Sequence, residues 1–165
     1  MKSNWKEDLF FLGLKLAFVG LILTVMLLWV FGLARCTDNT MHPACKDGDL
    51  VLFDRTKQEY SERELVTLSV NGKTQIRRII AVPGDTVDIT EEGLFLNGYL
   101  QKETDITTNT QPYEEGIHYP VTLKKDEYFV LADYRTNAED SRLYGVVTVN
   151  EILGTVFTLL RRRGF

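Results

Sequence analysis

The sequence has few of the residues that build metal centres or disulfide frameworks. Among 165 residues there are two cysteines, Cys36 and Cys45, and two histidines, His42 and His118. No His or Cys spacing matches a zinc site, so we expect neither a metal nor another cofactor. Basic residues are also in deficit, because 19 Lys and Arg face 23 Asp and Glu and leave a net charge of −4. This balance argues against a nucleic-acid-binding protein, whose affinity would rest on a basic face.

Apolar residues are concentrated near the amino terminus instead of being spread along the chain. Residues 16–34 ("LAFVGLILTVMLLWVFGLA") carry no charge and would cross the hydrocarbon layer as a helix of roughly 28 Å. A cleaved secretory signal has an apolar region of about 7 to 15 residues, so this run favours a retained signal-anchor. Lysines before the run outnumber Arg35 after it, which favours a cytoplasmic amino terminus. We therefore expect residues 1–35 to anchor the chain in the cell membrane by a single pass, with residues 36–165 as one extracytoplasmic domain.

Residues 36–165 have the pattern of mainly antiparallel β structure. No segment after residue 36 has a sustained helical period, whereas short alternating or β-branched runs are separated by turn residues. Hairpin turns are predicted at Asn71-Gly72, Pro83-Gly84-Asp85, Glu92-Gly93 and Asn97-Gly98. Strands are predicted at residues 49–53, 64–70, 76–82, 86–89, 94–96, 127–132, 145–149 and 154–160.

Three features of this domain leave alternatives open. The polar stretch 101–123 is either a surface excursion or a flexible insert. Cys36 and Cys45 lie where a disulfide is chemically permitted, but two unpaired thiols fit the sequence at least as well. The closing "RRRGF" either lies against anionic headgroups or solubilises the last strand.

Three motifs carry the clearest functional signal. The first is "TMHPACKDGDLVLF" (40–53), the second is "RRIIAVPGDTVDI" (77–89), and the third is "VLADYRTNAEDSRLYGVV" (130–147). In this order, behind an amino-terminal anchor, the chain resembles the type I signal peptidases over roughly residues 9–160. The resemblance implies a signal-peptidase-like antiparallel β-sheet domain behind one transmembrane helix.

The resemblance also implies a catalytic site, in which a serine attacks the scissile carbonyl and a neutral lysine takes its proton. Thr40 stands at the position of the nucleophile and Arg77 at that of the general base. Ala138 replaces a serine that hydrogen-bonds the lysine. Asp38 falls where family members place a small or hydroxyl residue that helps the oxyanion hole. Every residue implied in proton handling therefore differs from the family pattern.

These substitutions oppose the family's chemistry. A lysine needs about 4.6 kcal/mol to be neutral at pH 7, which burial can supply, whereas an arginine needs about 9 kcal/mol. We therefore expect Arg77 to remain a cation that cannot act as a general base. Thr40 has no free amine to activate it, and a carboxylate at Asp38 would repel the developing oxyanion. A Cys45 thiolate with His42 as its base is another nucleophile arrangement that the sequence offers, but we expect both histidines to be surface residues.

Other residues of the motifs match the family. By the resemblance, Met41 and Pro43 shape the loop beside the cleft. Arg78, Asp140 and Arg142 correspond to family residues that form a charged cluster bracing the site. Within this cluster we expect Arg78 to pair with Asp140, as a buried pair whose loss would cost about 3–5 kcal/mol.

Three functions are compatible with the sequence, and enzymatic activity is left undecided among them. The leading hypothesis rests on a resemblance to the degenerate, SipA-type signal-peptidase-like proteins of Gram-positive pilus gene clusters. It describes a non-catalytic factor that holds an extended peptide along its sheet edges and assists surface protein export or pilus assembly as a chaperone. Its partners would be the membrane and a pilin, a sortase or a leader peptide. The alternatives are an active signal peptidase that cleaves leader peptides with Thr40, and a membrane-anchored scaffold without a working cleft.

Overall fold

The computed structural model describes residues 5–103, 106 and 108–161. The chain divides into two compact units, Met1–Phe31 and Gly32–Phe165. The first unit contains helix α1 (Trp5–Val30), in which no residue is buried. Its length and apolar composition are sufficient to cross a membrane, and they fit a single-pass membrane protein.

Helix α1 has other bounds than the sequence predicts. It begins at Trp5 because the apolar residues of "LFFLGL" extend the run to the amino-terminal side of Lys15. It ends at Val30, and residues 31–34 of the predicted span belong to strand β1 (Phe31–Arg35), where buried and exposed residues alternate. A side chain at Gly32 would collide with the Phe53 ring, since an added Cβ would lie 2.1 Å from it. The β structure therefore starts before the predicted boundary at residue 36.

The second unit is mainly β, as predicted. After β1, its elements are β2 (Leu50–Asp54), β3 (Leu65–Val70), β4 (Lys73–Ala81), β5 (Thr86–Thr90), β6 (Gly93–Leu96), β7 (Tyr99–Leu100), β8 (Val121–Thr122), β9 (Glu127–Leu131), helix α2 (Ser141–Tyr144), β10 (Val147–Thr148), a 3-10 turn (Val149–Glu151) and β11 (Ile152–Leu160). The strands within the described residues form a seven-stranded sheet in the order β1-β2-β11-β3-β4-β9-β10 and a four-stranded sheet in the order β7-β6-β5-β8. The neighbouring strands from β2 to β10 in the first sheet, and all those in the second, pair in antiparallel fashion.

Two of the predicted hairpins are confirmed at their turns. Asn71-Gly72 joins β3 to β4, and both residues have positive φ (51° and 75°), as a two-residue hairpin turn requires. Asn97-Gly98 joins β6 to β7 in the same way, with φ of 53° and 83°. The hairpin at Glu92-Gly93 is shifted by one residue, because Gly93 already pairs with Thr90 in the ladder of β5 and β6.

The turn at Pro83-Gly84-Asp85 does not form the predicted hairpin. It carries the chain from β4 in the larger sheet to β5 in the smaller one. The Asp85 carboxylate accepts the N–H of Val82 at 2.9 Å, and Gly84 N–H donates to the Leu123 carbonyl at 3.0 Å. The local turn chemistry was predicted correctly, but the partner strand of β5 is β6 and not β4 because the smaller sheet supplies a second layer over the core.

The polar stretch 101–123 is held against the domain by its described residues. Thr110 is fully buried, and Val121–Thr122 pair with β5. Ile117 N–H donates to the carbonyl of Arg142 at 3.1 Å. These contacts favour the surface excursion over the flexible insert. Residues 104, 105 and 107 and most of the closing "RRRGF" lie outside the described residues, so the two interpretations of that tail stay open.

One cluster of the core joins the first and third motifs to β4. Its buried members come from Cys36 and the first motif, from Ile76 of β4, which directly precedes the second motif, and from the third motif; partly buried residues of β3 and β11 pack against them. The site predicted from the resemblance therefore sits on a common core, although its parts are far apart in sequence. The buried members are Cys36, Met41, Cys45, Val51, Ile76, Ala132 and Ala138.

Candidate functional site

The loop of the first motif is closed by a disulfide between Cys36 and Cys45, whose Cα atoms are 6.6 Å apart. The loop is also tied to the chain that follows it, since Cys36 N–H donates to the Asp49 carbonyl at 2.9 Å and Gly48 N–H to the Cys36 carbonyl at 3.0 Å. Of the two alternatives for these cysteines, the paired one is therefore correct. Because Cys45 is bonded and fully buried, it cannot be a thiolate nucleophile with His42 as its base.

Thr40, at the predicted nucleophile position, is bonded to Asp38. Its hydroxyl donates to Asp38 Oδ1 at 2.6 Å, and its backbone N–H donates to the same oxygen at 2.9 Å. Asp54 and Thr56 repeat this arrangement at 2.7 and 2.8 Å, and there the bonds from Thr56 lower the pKa of Asp54. The Asp-x-Thr turn is therefore a local backbone motif that forms without a catalytic site. The sequence predicts that the Asp38 carboxylate faces the developing oxyanion. In the structure this carboxylate instead accepts a hydrogen bond from the Thr40 hydroxyl.

Thr40 and Arg77 line different cavities. Thr40 borders an open cavity of about 430 Å³, whose walls come from the loops at 39–42 and 134–137. Arg77 borders a narrow cavity of about 10 Å³ between the first-motif loop and β4. We refer to this narrow cavity as the closed cleft; it is lined by Arg35, Cys36, Thr37, Asp38, Met41, Thr74, Gln75, Ile76 and Arg77. The structure therefore does not bring the predicted nucleophile and base positions to one open space.

Arg77 is buried, with 2% of its surface exposed, and it is bonded to backbone carbonyls. Its Nε and Nη2 atoms donate to the carbonyl of Glu139 at 2.9 and 2.8 Å, and Nη1 donates to the carbonyl of Ile76 at 2.6 Å. Burial raises the pKa of Tyr144, and the neighbouring Arg77 guanidinium acts in the opposite direction. A guanidinium offers donors and no acceptor, so this group cannot take a proton from a nucleophile.

Ala138, at the position of the base-orienting serine, is bonded to a residue that the sequence did not single out. Its backbone N–H donates to the Tyr113 hydroxyl at 2.9 Å, and that hydroxyl donates to the Ala138 carbonyl at 2.9 Å. The Tyr113 ring also lies under the Arg142 guanidinium, at 4.4 Å from its centre. An aromatic residue in a polar stretch is too common a feature to predict this role. The surface excursion therefore braces the third motif from outside.

The predicted pair of Arg78 with Asp140 is wrong. Arg78 instead forms a two-pronged pair with Asp133, at 2.7 and 2.6 Å, and Asp140 pairs with Arg142 at 2.9 and 2.8 Å. The register explains the exchange, because Arg78 lies opposite Leu131 on β9, two residues before Asp133. Asp140 is the amino-terminal cap of α2, where the side chain of Arg142 on the first turn can reach it. The predicted charged cluster is present, but it consists of two separate pairs.

Met41 and Pro43 take different places beside the site. Met41 is 1% exposed, lines the closed cleft, and accepts the N–H of Asp133 on its Sδ at 3.4 Å. Pro43 lines a third cavity of about 490 Å³, which Arg78 and Asp133 also border. In the part of the chain that the structure describes, no cluster of three or more His, Cys, Asp or Glu side chains is arranged to hold a metal ion.

A family model described as "Signal peptidase, peptidase S26" matches residues 11–160 of this chain. The chain belongs to this family. Signal peptidase I T of Bacillus subtilis is 30% identical over 129 residues, which cover 71% of this chain and 67% of that protein. A probable signal peptidase I-2 of Synechocystis is 38% identical over 130 residues, which cover 72% of this chain and 58% of that protein.

The family includes proteins of known structure. A crystal structure of a signal peptidase I from Enterococcus faecalis V583 is 23% identical to this chain, with a TM-score of 0.49. The alignment covers 61% of this chain and 97% of the other. Signal peptidases act on leader peptides.

Proposed function

We propose that this protein is a signal-peptidase-like membrane protein that binds an extended peptide or protein without cleaving it. In this role it assists the export of surface proteins or the assembly of pili. The observation that carries the proposal is the arrangement of Arg77, whose guanidinium donates to the carbonyls of Ile76 and Glu139 from the predicted position of the general base.

Peptide cleavage at Thr40 would need a base within about 2.6–3.2 Å of its hydroxyl. The acceptor that this hydroxyl has within the described residues is the Asp38 carboxylate. A carboxylate is ordinarily a weak base toward an alcohol, and the Thr56 hydroxyl makes the same contact elsewhere on the domain. A negative charge beside the attacked carbon also opposes the oxyanion that forms there. These contacts support a degenerate dyad.

Binding of an extended peptide is supported by an open strand edge beside the site. Strand β4 pairs with β3 from Lys73 to Arg78, but it pairs with β9 only from Arg78 onward. Within the part of the chain that the structure describes, residues 73–77 of β4 therefore pair with a strand on one side only. An extended peptide can add to such an edge by main-chain hydrogen bonds.

The proposed location is the outer face of the cell membrane. Helix α1 would be the single membrane span, with its amino terminus in the cytoplasm and the β domain outside. The disulfide between Cys36 and Cys45 supports this orientation, because disulfides persist in oxidising compartments and are rare in the cytosol. A pilin, a sortase or a leader peptide as the partner rests on the family resemblance alone.

A cleavage assay tests the non-catalytic role. Full-length protein in detergent would be incubated with a preprotein, beside the triple variant Thr40→Ser, Arg77→Lys, Ala138→Ser. We expect no leader release by the unmodified protein, and release above background by the triple variant, which carries the family's residues at these three positions. Leader release by the unmodified protein that is lost in Thr40→Ala, and kept in the matched control Thr56→Ala, would overturn the proposal.

The second candidate is an active signal peptidase, in which Asp38, the acceptor of the Thr40 hydroxyl at 2.6 Å, would have to serve as the base. If Asp38 were the base, Asp38→Asn would abolish leader release. The matched variant Asp54→Asn would not, because it alters the same turn outside the site.

A further inference from the structure

Arg77 differs from the two other arginines that are buried to the same degree. Arg77, Arg135 and Arg142 are each 2% exposed. Arg135 pairs with Glu103, and Arg142 pairs with Asp140. Arg77 donates to backbone carbonyls and lies beside the Tyr144 hydroxyl, and among the described residues it has no carboxylate partner. A buried cation without an anion is held at a cost, so Arg77 is the one of the three that would gain most from a carboxylate.

This cation lies at the wall of the closed cleft. The cleft volume of about 10 Å³ holds at most about one water molecule. Its charged lining residues are Arg35, Arg77 and Asp38, which sum to one positive charge. Oδ1 of Asp38 already accepts two hydrogen bonds from Thr40. The charge of the cleft therefore favours an anionic group over a neutral one.

The open edge of β4 faces the same cleft. Val70 and Lys73 flank the two-residue turn, so they form a hydrogen-bonded pair, and such pairs alternate along the ladder with β3. The backbone groups of Lys73, Gln75 and Arg77 therefore point towards β3. Those of Thr74 and Ile76 point to the open side. On that side, the Ile76 carbonyl accepts a hydrogen bond from Nη1 of Arg77. The guanidinium therefore occupies the position from which the N–H of an added strand would donate.

We propose that the closed cleft is a carboxylate-selective peptide site, and that Arg77 recognises the carboxylate of an extended peptide. This inference rests on the proposed peptide-binding function. A strand that pairs with Ile76 displaces the guanidinium from the Ile76 carbonyl, and the released donors need a new acceptor. A carboxylate offers a two-pronged, charge-assisted pair in exchange, whereas a neutral peptide leaves the buried cation with fewer partners than before.

The carboxylate has two sources in a peptide, the free carboxyl terminus and an Asp or Glu side chain. Both can be tested with one labelled eight-residue peptide of Ala, Val and Thr, prepared in four forms. The first form has a free carboxyl terminus and the second a terminal amide. The third and fourth are amides with one internal Glu or the matched Gln. Binding to the full-length protein in detergent would be measured by fluorescence anisotropy.

We expect at least one carboxylate form to bind about 10-fold more tightly than its neutral counterpart, and the arm that does so identifies the source. Arg77→Gln keeps hydrogen-bond donors but removes the charge, and it should reduce this preference to less than about 2-fold. Arg55→Gln, which removes an exposed cation that is not part of the cleft lining, should leave the preference unchanged. Hydrogen exchange on the unmodified protein gives a second readout, because a bound strand should protect the amide of Ile76.

The outcomes separate this inference from the function on which it rests. Equal binding of all four forms would overturn carboxylate selectivity and leave peptide binding standing. A preference that persists in Arg77→Gln would overturn the role of Arg77. If none of the four forms binds and the Ile76 amide exchanges as before, both the inference and the proposed peptide-binding function fail. The comparison of peptide forms on the unmodified protein holds even if Arg77→Gln does not fold.

Discussion

Arg77 and Arg78 are neighbours on β4, yet their guanidinium groups are held in different ways. Successive side chains of a strand point to opposite faces, so the two residues have different surroundings. Arg78 is partly exposed and meets both oxygens of the Asp133 carboxylate. Arg77 is buried and meets the carbonyls of Ile76 and Glu139. Among the described residues, Arg78, which braces the fold, has a carboxylate partner, whereas Arg77, the buried arginine beside the closed cleft, has none.

A third cation on the same strand completes the comparison. Lys73 forms an ion pair with Glu139 at 3.1 Å, and both side chains are more than half exposed. Glu139 thus holds Lys73 by its side chain and Arg77 by its carbonyl. Stability measurements on single variants can rank these arrangements. Because Trp5 and Trp29 lie in the anchor helix, the near-ultraviolet circular dichroism of the tyrosines reports on the β domain of the full-length protein.

The largest effect is expected for Asp140→Asn, which breaks the buried pair with Arg142. Both partners of this pair are almost fully buried, so the remaining guanidinium would lose its counter-charge without access to water. We expect the free energy of unfolding to fall by about 3–5 kcal/mol. Denaturant titration of the full-length protein in detergent measures this change, and a loss below about 1 kcal/mol would contradict the structural role of the pair.

A smaller effect is expected for Asp133→Asn, which leaves Arg78 with the Arg63 carbonyl among its acceptors. The Arg78 side chain is 26% exposed, so water can replace part of what the carboxylate supplied. We expect a loss of about 2 kcal/mol, within the range of hydrogen bonds to charged groups. The same titration checks it. A loss as large as that of Asp140→Asn would show that exposure does not distinguish the two pairs.

Arg77→Met should cost about 1 kcal/mol or less, although Arg77 is far more buried than Arg78. The substitution leaves the carbonyls of Ile76 and Glu139 without these donors, but it also removes a buried charge that has no carboxylate among the described residues. The matched control is Arg142→Met, because that change leaves the buried Asp140 carboxylate without its cationic partner. If the two variants were equally unstable, the contrast between carbonyl-held and carboxylate-held arginines would be wrong.

The smallest effect is expected for Lys73→Ala. An exposed ion pair contributes little, because solvent screens it and both side chains lose freedom. The unfolding free energy should change by no more than about 0.5 kcal/mol, and this change should disappear in high salt. A larger or salt-independent change would mean that Lys73 supports the edge of β4 by packing.

The sequence was sufficient to predict most of the strands that the structure describes, but not the strands β1, β7 and β8 or the short helix α2, and not all of the strand partners. Local turn chemistry correctly identified the hairpins at Asn71-Gly72 and Asn97-Gly98, because both turns need residues that tolerate positive φ. The end of α1 at Val30 could not be predicted, because the apolar run continues into β1. Only the strand pairing of β1 in the folded domain distinguishes the strand from the helix before it. Turn chemistry also cannot say whether the next strand returns to the same sheet, which is why the turn at residues 83–85 was misassigned.

The candidate site was predictable in its positions and less so in its contacts. The motifs placed Thr40, Arg77 and Ala138 near a common core, and the structure adds that Thr40 and Arg77 border different cavities. Pairing of Arg78 with Asp133 depends on the register of β4 against β9, which no local pattern reveals. The bond of Tyr113 to Ala138 joins residues 25 positions apart, and Tyr113 lies in a polar stretch without a period.

The disulfide of the first motif limits how the closed cleft can open. Cys36 and Cys45 are nine positions apart, so the segment between them is a covalent ring that carries Asp38, Thr40 and Met41. Such a ring cannot peel away from one end as an ordinary loop can. Opening of the cleft has to displace part of this ring from β4, with the buried Met41 as a contact that must slide or break. Access to Arg77 therefore depends on a segment that is fixed at both ends, and reducing agents would release one end without altering any charge.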